Sequence, residues 1–230
     1  MFIGHFAVRF ALKRAAPRTS LGVLIAAPQL LDLLWPWFLL AGWERVRIDP
    51  GNTPVTPLAF ESYPISHSLL MSVVWGLVLG LLYIWLGRAN GGPAGASYRR
   101  VVAAWLALAV VSHWVLDWIT HRPDLPILPW SGTKVGLGLW YSVPGTVLVE
   151  SVLYAAGVWI YARTTRARDR MGATSFWIYV VALAAIYAGN LAGPPPPDPR
   201  SLAIVALAVW LLPPWAAWFD RHRVARMSQN

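Results

Sequence analysis

An apolar run that begins at Val101 is interrupted at four-residue intervals by His113, Asp117 and His121. On an α-helix these three side chains fall on one face, one turn apart. Two imidazoles and a carboxylate are costly to bury in a segment otherwise suited to a bilayer, so they demand partners. Two kinds of partner are open. One is a polar seam between helices. The other is a metal ion held by nitrogen and oxygen ligands.

More groups of the same kind interrupt other apolar runs. Asp32 lies within Ala27 to Pro36, and His67 within Tyr63-Pro-Ile-Ser-His-Ser-Leu-Leu70. Glu150 lies inside a run that starts at Pro144, and His5 sits in the short first segment. Each has a plain structural reading. His67 could cap a helix, and His5 could belong to the surface of an amphipathic segment. Asp32 could neutralise Arg9, and His113 with Asp117 could hydrogen-bond across helices. Glu150 could pair with a basic group, and His121 reads as a rim residue. Separate structural reasons for all of them are improbable in one membrane interior, which favours a shared site. His5, Asp32, His67, His113 and Asp117 are therefore the candidate metal ligands. Asp117, Asp32 and Glu150 are the candidate acid–base groups. The chain has no cysteine, which excludes thiolate ligands and disulfides.

The elements that must position these groups are transmembrane helices. Of 230 residues, 57% are hydrophobic and only 13% charged, against about 25% charged in soluble domains. Six apolar runs are long enough to cross a bilayer: 21–41, 67–86, 101–120, 144–162, 174–192 and 201–219. The expected fold is an all-α, polytopic integral-membrane helical bundle forming one domain over 1–230. Its motif-bearing part is 1–125, and further spans occupy 144–219. Residues 2–14 read as a helix too short to span. Their charges follow the apolar part instead of preceding it, so the segment is expected to be retained and not cleaved as a signal. If it folds back on the first span about the turn near Pro17, His5 lies twelve residues before that turn and Asp32 fifteen after it. At about 1.5 Å rise per residue the two reach similar depth.

Charge orients the bundle. With the turn at 13–18 cytoplasmic, fourteen of the basic residues lie on that side and five on the other, as the positive-inside rule requires. The expected location is the cell (inner) membrane, with the N-terminal turn and the C-terminus cytoplasmic. Many of the 15 Trp residues, among them Trp35, Trp43, Trp118 and Trp140, fall near span ends as interface anchors would. The net charge of +9 sits in short loops. It reads as a topology signal, not as a nucleic-acid surface, and the Arg163–Arg170 loop is suited to meeting anionic lipid. Membrane lipid is thus the expected partner, with no nucleic acid. Gly91 to Gly95 lacks the strand and the Lys-Ser/Thr of a phosphate loop and reads as a flexible linker. Gly136 to Gly145 reads as a turn-rich connector that could also cover the site.

At Gly4-His5, Pro28 to Asp32, Ser66-His67-Ser68 and His113-Trp-Val-Leu-Asp117 the sequence resembles the membrane-bound, metal-dependent hydrolases of the YdjM type. The resemblance covers about residues 1–125. That family often shows Asp-x-Asp-His at the first aspartate, where this chain has Leu33, Leu34 and Trp35 after Asp32. It often has a further His before Thr-His-Ser, where this chain has Glu61-Ser62-Tyr63. The resemblance therefore implies a hydrolase with one divalent metal, zinc for preference. It would activate water against an ester or phosphoester, and a lipid-like substrate suits a site within the membrane. The alternative is a non-enzymatic membrane protein, a transporter or assembly factor, that uses the same groups for ion or proton handling. No internal repeat of the kind common in transporters is visible.

Overall fold

The computed structural model describes residues 1–87 and 93–226. It is a helical bundle in which a short helix, α1 (Ile3–Ala15), folds back against α2 (Leu21–Leu40). Ser20 caps α2 by accepting from the Gly22 amide at 3.3 Å. Then come β1 (Arg45–Ile48), β2 (Leu58–Ser62), the one-turn helix α3 (Pro64–His67) and α4 (Leu69–Leu86). The longest helix is α5 (Pro93–Thr120). It leads through β3 (Leu125–Pro126), β4 (Lys134–Val135) and a 3₁₀ turn (Leu139–Tyr141) to α6 (Val143–Thr164). The chain ends with β5 (Thr165–Ala167), α7 (Arg170–Ala192), α8 (Pro199–Ala206), α9 (Leu212–Arg221) and β6 (Arg223–Ala225).

Among the described residues six helical segments are long and apolar enough to cross a membrane: α2, α4, Gly95–Thr120 of α5, α6, α7, and Pro199–Arg221 taken through α8 and α9. Many of their large apolar side chains point outward, including Leu81, Val181 and Val205. In water that surface would be intolerable, and in a bilayer it is the expected one. The polypeptide is a polytopic membrane protein.

The helices differ from the sequence expectation in several places, and three of the differences have a clear local reason. The second span starts at Leu69 and not at His67, because Ser68 is extended (ψ 150°) and caps α4 through the Met71 amide. His67 is thereby left on its own short turn. The third span is helical from Pro93, since the polar residues before Val101 extend the helix past its apolar part. Residues 91–92 of the expected linker lie outside the described residues. The last span is broken by a 3₁₀ stretch, Leu207–Leu211, which ends just before Pro213 and Pro214. Neither proline can donate into a preceding helical turn.

The hairpin of α1 and α2 holds. Helix α1 is buried inside the bundle against α2, α5 and α6, with Phe6 and Phe10 fully enclosed. It approaches α6 closely at Gly157, where an added Cβ would collide with the Ala7 backbone. At the turn, Lys13 donates to Asp220 of α9 at 2.6 Å and to the Thr19 carbonyl at 2.8 Å. Asp220 also accepts from the Leu21 amide at 3.0 Å and from Tyr161 at 2.8 Å. One half-buried carboxylate thus ties together both arms of the hairpin, α6 and α9.

Candidate metal centre

Five side chains from four elements meet where α1 begins against α5. Asp117 and His113 stand one turn apart on α5, with His113 Nε2 at 3.0 Å from Asp117 Oδ2. His5, returned by the hairpin, places Nε2 3.1 Å from Asp117 Oδ1 and stacks on His113 with ring centroids 3.8 Å apart. Asp32 of α2 presents Oδ1 at 3.5 Å from His67 Nε2 and 3.6 Å from His113 Nε2. Two overlapping groups have ligand atoms close enough to share an ion: His5, His113 and Asp117, and Asp32, His67 and His113. Every residue expected to bind metal is therefore in the cluster. All are buried except Asp32, whose side chain is 28% exposed.

The ring orientations decide whether the cluster suits a cation. His113 Nδ1 lies 2.7 Å from the Pro28 carbonyl, which can only accept. Nδ1 must then carry the hydrogen, and in the neutral ring Nε2 carries a lone pair. That buried Nε2 makes no hydrogen bond among the described residues, although two carboxylate oxygens face it. A divalent ion between that lone pair and the two carboxylates would be attracted by all three. His67 is held in the same sense. Its Nδ1 is 2.6 Å from Ser66 Oγ, and its Nε2 is turned towards Asp32 and Asp117. Imidazole nitrogens and carboxylate oxygens without thiolates fit zinc or a similar divalent ion. The Met1 amino group also stands nearby, 2.8 Å from Asp117 Oδ1.

Glu150 does other work. Its Oε2 accepts from the Phe2 and Gly4 amides at 2.8 and 3.2 Å. It satisfies the free N–H groups at the start of α1 and holds that helix in place. It belongs to neither ligand group. Asp32 does not neutralise Arg9. The Arg9 guanidinium lies over the Phe6 ring at 3.6 Å, and its nitrogens make no hydrogen bond among the described residues.

His121 is not a rim residue. It is 3% exposed, packs on Trp140 at 4.2 Å between ring centroids, and points Nε2 at Asp117 Oδ1, 4.0 Å away. Asp124, which sequence reasoning missed, accepts from His121 Nδ1 at 2.9 Å and from the Tyr63 hydroxyl at 3.1 Å. The three-residue spacing of His121 and Asp124 was the available signal. Burial pushes the His121 imidazole below its ordinary value, outweighing the hydrogen bond to Asp124. Burial and Asp124 together push the Tyr63 hydroxyl well above 10. The connector that carries Trp140 does cover the site, and the Gly138 amide donates to the His121 carbonyl at 2.7 Å.

Glu44 was also missed, and nothing in its Pro/Gly-rich surroundings marked it. Gly42, at φ +73°, turns the chain at the end of α2, a conformation that glycine adopts freely. Glu44 then faces inward, 2% exposed. It accepts from the Ile65 and Ser66 amides at 2.8 and 2.7 Å and from Ser66 Oγ at 2.6 Å. Burial raises its carboxyl above the ordinary value, and the hydrogen bonds from Ser66 oppose that shift.

A cavity of about 440 Å³ borders the cluster. Its polar lining includes Asp32, His67, Asp117 and His121, and the rest is mainly apolar, including Trp35, Phe60, Ile186, Val205 and Val209. Val205 is also 72% exposed, so the cavity reaches the apolar exterior.

A six-span bundle with an enclosed His/Asp cluster defines a polytopic membrane protein with the groups to hold a metal. A model of the YdjM inner membrane protein family matches residues 64–192, more than half of the chain, and the chain belongs to that family. The match includes His67, His113, Asp117 and His121, while His5, Asp32 and Glu44 precede it. No curated protein and no solved structure matches the chain.

Proposed function

We infer that this inner-membrane protein is a metal-dependent hydrolase. It holds one divalent ion, zinc for preference, among His5, Asp32, His67, His113 and Asp117, and it acts on an ester or phosphoester of a lipid-like substrate. The observation that carries the reading is the convergence of the His67 and His113 Nε2 atoms on the Asp32 and Asp117 carboxylates in a buried layer. A bound ion would lower the pKa of water towards neutrality and polarise the scissile group.

The chain's own residues would supply the rest. Asp32, the most exposed of the five, borders the cavity and faces a bound substrate. His121 has its Nδ1 hydrogen committed to Asp124, so its Nε2 is free to take a proton and return it to the leaving group. The apolar lining shields that chemistry and accommodates a hydrocarbon chain that enters from the bilayer. The basic ends of the helices and the turn at 13–18 face the cytoplasm in this reading, and the metal layer lies towards the opposite face.

Hydrolysis is favoured over ion passage because an apolar core closes the bundle on one side of the cluster, with Phe6, Phe10, Leu24, Leu106 and Val110 essentially fully buried. The test is hydrolysis of micellar ester and phosphoester lipids by the purified chain, stripped of metal and then reloaded with zinc. Turnover should return with zinc and be absent in His113→Ala and Asp117→Asn. Equal turnover in those variants would refute the reading.

A further inference from the structure

We propose that Glu44 is a positioning residue that fixes the tautomer of His67 through Ser66, leaving His67 Nε2 unprotonated and aimed at Asp32. The consequence for metal binding rests on the reading of the site given above, whereas the tautomer itself does not.

Glu44 receives three donors: the Ile65 amide at 2.8 Å, the Ser66 amide at 2.7 Å and the Ser66 hydroxyl at 2.6 Å. A carboxylate only accepts, so the single hydroxyl hydrogen of Ser66 is spent on Glu44. Ser66 Oγ then faces His67 Nδ1, 2.6 Å away, with lone pairs only. Nδ1 must donate, and the ring's remaining nitrogen is left bare. That nitrogen lies 3.5 Å from Asp32 Oδ1 and 4.0 Å from Asp117 Oδ2. The chain is thus Glu44, Ser66, His67, then the site, with every hydrogen pointing back towards Glu44. His113 reaches the same state more simply, through the Pro28 carbonyl. The two rings present like atoms to the same carboxylates because each has an acceptor behind it. Metal-binding histidines commonly rely on such an outer partner.

The relay is also built into the local fold. The two amides that Glu44 accepts belong to the first turn of α3, where no helical acceptor exists for them. Pro64 opens that turn and Ser68 closes it, so His67 has no longer helix to fix its direction. Glu44 and Ser66 do that instead. All three side chains are buried, with Ser66 at 0% exposure.

Glu44→Gln keeps the shape and reverses the wire. The amide oxygen still accepts from the two backbone groups, but the amide nitrogen now donates to Ser66. The Ser66 hydrogen turns to His67 Nδ1, and the ring hydrogen moves to Nε2, where it blocks the atom that faces Asp32.

The experiment uses the full chain, labelled with ¹⁵N-histidine, in detergent at pH 8 and free of metal. The ring-nitrogen signals of His67 are assigned by their loss in His67→Gln. The wild type should show the Nδ1–H tautomer, Glu44→Gln the Nε2–H tautomer, and Ser66→Ala a mixture. A wild-type Nε2–H tautomer or imidazolium at His67, or a Glu44→Gln spectrum identical to the wild type, would overturn the proposal. A parallel zinc titration against a chromophoric chelator should show affinity about ten- to a hundredfold weaker in Glu44→Gln. If the tautomer switches while the wild type binds no zinc, the positioning role stands and the metal reading falls.

Discussion

An imidazole with one nitrogen committed to an acceptor has a single atom left for chemistry. His113 and His121 are both in that state, one backed by a carbonyl and the other by Asp124. They differ in what the free atom meets. For His113 it is two carboxylates at 3.0 and 3.6 Å, a ligand's surroundings. For His121 it is the cavity and a more distant oxygen, a proton carrier's surroundings. The roles therefore separate on substitution. His121→Asn should retain metal and lose about 10²- to 10⁴-fold in turnover, as checked by metal content and rate on the same sample. Its pH dependence has a definite sign. Burial holds the His121 pKa below the ordinary 6.5, so the neutral ring is favoured in the folded state. The folded state gains from that preference above about pH 6.5 and loses the gain as pH falls towards the folded pKa. Thermal unfolding of His121→Asn should accordingly depend less on pH below about 6.5 than that of the wild type.

At the scale of elements, the site exists because a helix too short to cross the membrane is folded back inside the bundle. The lengths on either side of Pro17 predict His5 level with Asp32, and His5 stacks on His113, whose Nε2 lies 3.6 Å from Asp32 Oδ1. Fixing that hairpin falls to Asp220, which joins Lys13, the Leu21 amide and Tyr161. Asp220→Ala leaves the Lys13 ammonium buried without its counter-charge, a change that costs about 3–5 kcal/mol. Thermal denaturation in detergent should show this loss, and retention of the site's ion should weaken with it although Asp220 is remote from the cluster. Other elements were not legible. The relay from Glu44 needs a left-handed Gly42, a strand pairing of β1 with β2, and a helix break at Ser68. Each is set by tertiary contacts that no local pattern in a Pro/Gly-rich stretch announces. The same holds for Glu150, whose carboxylate is engaged by α1, an element far away in sequence.

At the scale of the whole molecule, hydropathy made the six spans legible, because a bilayer leaves helices few other ways to satisfy their backbone groups. The break in the last span was less visible, since Leu207–Leu211 is as apolar as its flanks. That break lies beside the cavity, where Ala208, Val209 and the neighbouring Val205 line it. The cavity is apolar over most of its lining and polar at the cluster, which matches an amphiphile and not a freely soluble ester. Val205→Trp should fill the mouth of the cavity. It should lower turnover of long-chain lipid esters at least tenfold more than that of a short-chain ester, measured side by side in mixed micelles. Equal losses on both would show that the cavity does not hold the hydrocarbon chain.

The chemistry of the site turns on whether its buried imidazoles and carboxylates hold an ion. Metal analysis of the full chain, purified after expression with ample zinc, tests it most directly. About one equivalent of a divalent metal per chain is expected, lost in His113→Ala and in Asp117→Ala. A wild-type chain free of metal, or a His113→Ala chain that keeps it, would rule out a metal centre at this cluster.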